Sequence, residues 1–145
     1  MNRYKSLEIQ FSNICCLYPC TPLINVKILQ KSFKILMNNN YDSVIPILAY
    51  THPIKRAIKI NKSNTISLLF PENISKRTQD FKKTYHDAGQ FYWLGKKALS
   101  SNKIITKNTG YIELENLYSQ DIDNIYDWKL AEIKFKNMID ESKKI

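Results

Sequence analysis

Two short stretches carry the residue types that do chemistry, and two more supply cations beside them. Thr84-Tyr85-His86-Asp87-Ala88-Gly89-Gln90-Phe91-Tyr92-Trp93 sets an imidazole, a carboxylate and an amide around a glycine, then runs into three aromatics. Gly89 lets the backbone turn or approach a ligand closely. His86 can donate to an anion, and its charge is tunable near neutral pH. Gln90 and Phe91 are expected on opposite faces of the strand that follows. Just upstream, Arg77-Thr78-Gln79-Asp80 offers a forked cation beside an amide and a carboxylate, a shape that suits a carboxylate ligand. Thr51-His52-Pro53-Ile54-Lys55-Arg56 adds two cations after a predicted strand end, where ligands of open α/β sheets gather. The same residues would also serve as an ordinary solvated loop.

The second chemical stretch is acidic. In Ser119-Gln120-Asp121-Ile122-Asp123 an extended backbone puts Asp121 and Asp123 on one side and Ile122 on the other. Two carboxylates opposite a buried anchor suit a hard cation such as magnesium, which takes a few carboxylates plus phosphate oxygens and water. The alternative is that both aspartates simply favour the positive end of the helix that follows, for about 0.3–1 kcal/mol each. Spacing alone favours the second reading. The glycines are only Gly89, Gly95 and Gly110, so no glycine-rich phosphate loop exists, and no serine sits in a nucleophile-elbow context.

These stretches need elements to position them. Asn13–Tyr18 (NICCLY), bounded by Pro19 and Pro22, predicts a buried strand ending in a rigid loop. Asn25 is placed to cap a helix with an apolar stripe of Val26, Leu29, Phe33, Leu36 and Met37, stopping at Asn38-Asn39-Asn40. Ser43–Ala49 reads as a second strand, and Pro46 argues for an edge or a bulge. Strand, helix, strand in this order predicts a right-handed parallel crossover. Ala57–Ile60 and Thr65–Phe70 flank Asn61-Lys62-Ser63-Asn64 as a hairpin-like region, and 71–84 reads as a polar loop. A strand over Gln90–Leu94, a short helix over Gly95–Ser101 and a strand over Tyr111–Leu117 follow. Asn124 with Asp127 three residues on resembles a capping box for a helix over Ile125–Ile139 with Ile125, Trp128, Ala131, Phe135 and Met138 on its apolar face.

The 145 residues suit a single domain over 1–145, and 43% hydrophobic residues suit a folded one. No apolar run approaches the roughly 18 residues of a membrane span, and the start has no signal-peptide character, which predicts a cytoplasmic protein. The net charge is +9, but only Arg3, Arg56 and Arg77 are arginines and the lysines are scattered, which argues against a nucleic-acid footprint. Cys15, Cys16 and Cys20 form no disulfide framework and no zinc spacing, so reduced thiols in and beside a strand are expected.

Taken in order, these segments resemble the CMP-nonulosonate cytidylyltransferase family, which includes the pseudaminic acid and the acylneuraminate (CMP-sialic acid) cytidylyltransferases. The resemblance is carried by Ile14-Cys15-Cys16-Leu17-Tyr18 with Pro22, by His52-Pro53-Ile54-Lys55-Arg56-Ala57, and by Phe70-Pro71-Glu72-Asn73 with Arg77-Thr78-Gln79-Asp80. Tyr85–Trp93 is its most specific piece, and Gln120-Asp121-Ile122-Asp123 with Asp127-Trp128 and Ala131-Glu132 completes it.

The resemblance implies an α/β, Rossmann-like nucleotide-diphospho-sugar transferase fold. It implies CTP and a nonulosonic acid as substrates, Mg2+ as cofactor, and a homodimer or a complementing N-terminal fragment as partner. By carry-over Asp121 and Asp123 hold the metal at the catalytic centre. Lys55, Arg56, Arg77, Gln79, Tyr85, His86, Gln90, Phe91 and Tyr92 line the sugar-acid pocket, and Pro19 and Thr21 touch the nucleotide. The resemblance begins after the family's first strands and its nucleotide-gripping loop, which implies a partial domain, incomplete or inactive alone. Cys20 stands where relatives carry a Thr- or Ser-containing loop, Lys55 where the nearest carry Gln, and Asn116 and Tyr118 where arginines are expected. The alternatives are a catalytically dead remnant that binds a sugar acid or dimerises and, from another class, a basic nucleic-acid-binding module.

Overall fold

A computed structural model describes Tyr4 and residues 10–142. The elements in chain order are β1 (Asn13–Leu17), α1 (Val26–Asn38), β2 (Ser43–Ala49), β3 (Ile58–Ile60), β4 (Ile66–Leu68), β5 (Tyr85–Asp87), β6 (Phe91–Gly95), α2 (Lys96–Ser101), β7 (Thr109–Glu113) and α3 (Ile125–Ser142). They form two compact units, one made of the residues up to Ile47 together with those from Asp87 onward, the other of Leu48–His86.

The first unit is α/β with a mixed sheet. Within it β6 lies between β1 and β2, and β7 pairs with β2. β1 and β6 are antiparallel from Asn13↔Gly95 to Leu17↔Phe91, β2 and β6 are antiparallel at Ser43↔Leu94 and Val44↔Trp93, and β2 and β7 are parallel from Ser43↔Thr109 to Ile47↔Glu113. β1, β2 and β7 therefore share one direction and β6 opposes it. The strands on either side of α1 are parallel, as a crossover requires, with β6 inserted between them.

Two strand expectations are corrected. β2 is central and largely buried rather than an edge strand. Pro46 is tolerated there because N–H and C=O of one residue point to the same neighbour. Its carbonyl accepts from Ala88 N–H (3.0 Å), just past the point where the β6 ladder stops at Val44↔Trp93. The missing N–H thus falls opposite Ala88, beside the turn at Gly89 (φ 63°), and the Ala88 carbonyl is met instead by the Ser119 hydroxyl at 3.4 Å. β1, expected to be buried, lies at the end of the strand order, and its Cys16 and Leu17 are exposed. An outermost strand has partners on one side only, so its far end is left in solvent.

α1 begins where Asn25 accepts Lys27 N–H (2.8 Å). Val26 and Met37 are exposed, so the expected stripe narrows to Leu29, Ser32, Phe33 and Leu36. Trp93 of β6 explains the polar member: its indole N–H donates to Ser32 Oγ (3.1 Å) and Leu29 O (3.2 Å), and its ring lies 4.7 Å from that of Phe33. Leu23, Val44, Phe91, Ala98 and Ile112 fill the rest of the core.

α3 starts with a reciprocal capping box. Asn124 Oδ1 accepts the N–H groups of Tyr126 (2.8 Å) and Asp127 (3.2 Å), while Asp127 Oδ2 accepts those of Asp123 and Asn124 (both 3.1 Å). Among the described residues no helix is long and apolar enough to cross a membrane.

In the second unit β3 and β4 form the expected hairpin, with Ile58↔Leu68 and Ile60↔Ile66 in register. Alternation puts these four aliphatics on one face, and Ile58, Ile60 and Ile66 are exposed. The polar segment beyond holds short 3-10 turns at Pro71–Asn73 and Thr78–Asp80.

Candidate functional site

The polar bend and the acidic turn meet inside the first unit. Gln90 is buried, and its amide donates to Tyr118 O (2.6 Å). Ser119 is buried too, its hydroxyl 3.4 Å from Ala88 O. Residues 88–90 are therefore fastened to the two residues just ahead of Gln120 and Asp121. The bend itself is closed by Asp87, the carboxylate that the sequence sets beside the glycine and to which no role was assigned. Asp87 Oδ1 accepts Gly89 N–H (2.9 Å) and Oδ2 accepts the Tyr92 hydroxyl (2.6 Å). Burial, and then the hydrogen bond to Asp87, pushes the Tyr92 phenol far above the ordinary tyrosine range. Phe91 and Tyr92 are both core residues, and the Tyr92 ring packs edge-on against Tyr18 at 5.3 Å.

From the other side the acidic turn is held by Lys134 of α3. Its ammonium donates to Asn116 O (2.7 Å), Ser119 O (2.7 Å) and Gln120 Oε1 (2.9 Å). All three acceptors are neutral, and burial lowers the ammonium's pKa. Beyond this anchor Asp121 and Asp123 are exposed while Ile122 is half-buried, the alternation expected of extended chain. Asp121 Oδ1 accepts Ile122 N–H (3.1 Å), and among the described residues no ion pair reaches either carboxylate.

Ile122 turns into a cavity of about 450 Å³ lined also by Pro19, Cys20, Thr21, Trp128 and Glu132. Pro19 and Thr21, the candidate nucleotide contacts, thus share a hollow with the residue between the two aspartates. The Thr21 hydroxyl itself donates to Tyr18 O (2.8 Å) and stiffens that loop. Cys15, Cys16 and Cys20 are free thiols, and burial pushes Cys15 up to about 11.

The candidate cations lie in the second unit. Lys55 and Arg56 belong to the 3-10 turn Ile54–Arg56. One guanidinium nitrogen of Arg56 donates to Asn73 O (3.4 Å), Ile74 O (3.0 Å) and Lys76 O (3.3 Å), which ties that turn to the segment carrying Arg77 and Gln79. The Arg77 fork takes its own Asp80 carboxylate through two bonds of 3.2 Å, both partners exposed. Gln79, Tyr85 and His86 are exposed, and the His86 ring lies 4.8 Å from that of Tyr50.

No family model matches the chain. Among curated proteins, the pseudaminic acid cytidylyltransferase of Campylobacter jejuni is 32% identical over 127 residues, covering 87% of this chain and 55% of that protein. A Helicobacter pylori protein named pseudaminic acid cytidylyltransferase and UDP-2,4-diacetamido-2,4,6-trideoxy-beta-L-altropyranose hydrolase is 30% identical over 135 residues, 91% of this chain and 26% of its own length. The chain is a homologue of the pseudaminic acid cytidylyltransferases. It spans about half the length of the Campylobacter relative, 55%. The N-acylneuraminate cytidylyltransferase A of Danio rerio is more distant, 25% identical over 120 residues, 82% of this chain and 28% of that enzyme.

The roles of two groups in this cytidylyltransferase homologue escaped sequence reasoning. Asp87 had a signal, since an aspartate two residues before a glycine is the pattern of an Asx turn. Lys134 had none, because its partners are two carbonyls and an amide 14–18 residues earlier in the chain.

Proposed function

We propose that this chain serves the CTP-dependent activation of a nonulosonic acid, pseudaminic or sialic, to its CMP-sugar, on a Rossmann-like nucleotide-diphospho-sugar transferase framework. The observation that carries the reading is similarity to pseudaminic acid cytidylyltransferases over 87–91% of the chain. The joined bend and acidic turn support it. In the reaction the sugar's anomeric hydroxyl attacks the α-phosphorus in line, a new P–O bond forms and pyrophosphate departs. The enzyme's share is positioning and charge neutralisation. In the second unit Lys55, Tyr85 and His86 are exposed and suited to meet the sugar acid, and Arg56 ties down the turn that carries Lys55; within the first unit Gln90, Phe91 and Tyr92 fix the backbone and core of the bend. The exposed carboxylates of Asp121 and Asp123 fit a magnesium ion, a hard cation that accepts oxygen ligands and keeps some of its water. When bound, magnesium would neutralise triphosphate charge. No residue here replaces a glycine-rich phosphate loop, so the chain is expected to need a complementing N-terminal fragment for turnover. The exposed aliphatic face of the β3–β4 hairpin suits a second copy, because a two-stranded hairpin is marginal by itself.

The test has two arms. Pyrophosphate release from CTP, magnesium and pseudaminic acid should stay at background for the isolated chain. Calorimetry should show binding of the sugar acid. Clear turnover would refute incompleteness, and no heat with any nonulosonic acid would refute the retained pocket and leave a remnant whose remaining role is assembly.

A further inference from the structure

We infer that Lys134 is the positioning residue of the acidic turn, fixing its backbone so that the Asp121 and Asp123 carboxylates are held together. The inference rests on the proposed metal-binding role of that pair.

An ammonium has three N–H donors and no acceptor. Lys134 places all three, on Asn116 O, Ser119 O and Gln120 Oε1 at 2.7–2.9 Å. Two of the acceptors are main-chain carbonyls bracketing the 3-10 turn Asn116–Tyr118. The third is the side chain of Gln120, whose amide nitrogen in turn donates to Asp121 O (2.9 Å). The path from α3 to the first carboxylate residue is thus an unbroken chain of hydrogen bonds. Gln90 closes the opposite side through Tyr118 O (2.6 Å). A lysine used for surface charge would point to water or to a carboxylate. This one gives up solvent for neutral oxygens, and its burial already lowers the pKa. Among the described residues no carboxylate pairs with it, so its charge is spent on holding backbone. Groups that orient ligating side chains typically change metal affinity by about 10–100-fold when removed.

The experiment compares the wild-type chain with Lys134→Met. Amide hydrogen exchange is followed by NMR, and Mn2+ alone is titrated as the probe. The expected result is at least about tenfold faster exchange at residues 119–123, little change in β2 and β6, and about tenfold weaker Mn2+ binding. Unchanged exchange at residues 119–123 overturns the inference, whatever Mn2+ does. Faster exchange there in a chain whose wild type binds no Mn2+ keeps Lys134 as the anchor and refutes the metal assignment instead. Faster exchange with unaltered Mn2+ affinity shows a purely structural lysine and overturns the positioning role. If Lys134→Met does not fold, Lys134→Gln is measured in the same way, and failure of both to fold also counts as overturning.

Discussion

Tyr92→Phe removes one hydroxyl and should reveal itself through pH. The wild-type hydroxyl is buried and donates to Asp87 Oδ2 at 2.6 Å. Hydrogen bonds to charged groups contribute about 1.5–3 kcal/mol. Asp87 is exposed, so water reoccupies its oxygen in the variant and the lower end, about 1.5 kcal/mol, applies. That is the expected gap at about pH 8. At higher pH the sign works against the wild type. In the unfolded chain the phenol ionises around its ordinary value of 10.0, while the folded chain holds the proton because burial and Asp87 raise its pKa. Above that value the unfolded state gains about 1.36 kcal/mol per pH unit from this one group. The advantage of the hydroxyl is therefore full below about pH 10 and gone by about pH 11. Cys15, pushed up to about 11, destabilises the folded chain over the same range, but it does so in both proteins and cancels in the difference. The assay is urea unfolding of both chains from about pH 8 to about pH 11. A gap that stays constant across that range would refute the account of Tyr92, because it would mean that the phenol titrates alike in folded and unfolded chains.

Three further outcomes are expected. Ellman's reagent should label the exposed Cys16 and Cys20 quickly at neutral pH and Cys15 slowly, since Cys15 is half-buried and that burial raises its thiol; three equal rates would contradict the shielding of Cys15. Gly89→Ala should cost about 1 kcal/mol through its φ of 63° alone, as nothing lies within 4 Å of the added carbon. Gly110→Ala should cost about 1–3 kcal/mol by driving that carbon to 2.3 Å from the Tyr41 ring. Thermal unfolding reads both, and equal stability of Gly110→Ala and wild type would show that Tyr41 yields freely.

Local signals were legible where a local cause decides the structure. Asn25 capped α1 and Asn124 with Asp127 capped α3 because capping involves residues only two to four apart. β2 was misplaced because Pro46 was weighed as a missing donor in isolation. Whether a missing N–H matters depends on what lies opposite, and the turn at Gly89 is distant in sequence. The stripe on α1 came out too wide for a similar reason: apolar spacing marks Val26 and Met37, but a helix buries only the part that the sheet covers. At the site, residue types were legible and their use was not. The Arg56 guanidinium reads as a ligand cation, yet its acceptors are three main-chain carbonyls that no sequence pattern announces.

The candidate site divides its polar groups by their partners. Gln90, Ser119, Tyr92 and Lys134 are satisfied internally and sit in or against the core, so their energy goes into fixing backbone. Asp121 and Asp123 are the reverse, exposed and reached by no ion pair among the described residues, in a chain of net charge +9. In so basic a chain, two neighbouring carboxylates could readily have been given a lysine. Lys134 of α3 is instead turned onto two main-chain carbonyls and the Gln120 amide oxygen, so among the described residues no ammonium pairs with either carboxylate, and the positive end of α3 is the charge beside them. Rigid support for exposed, like-charged oxygens costs stability through mutual repulsion unless a cation is supplied from solution. That arrangement fits the proposed hard metal ion and fits equally two aspartates favouring the positive end of α3, and the metal titration separates the two.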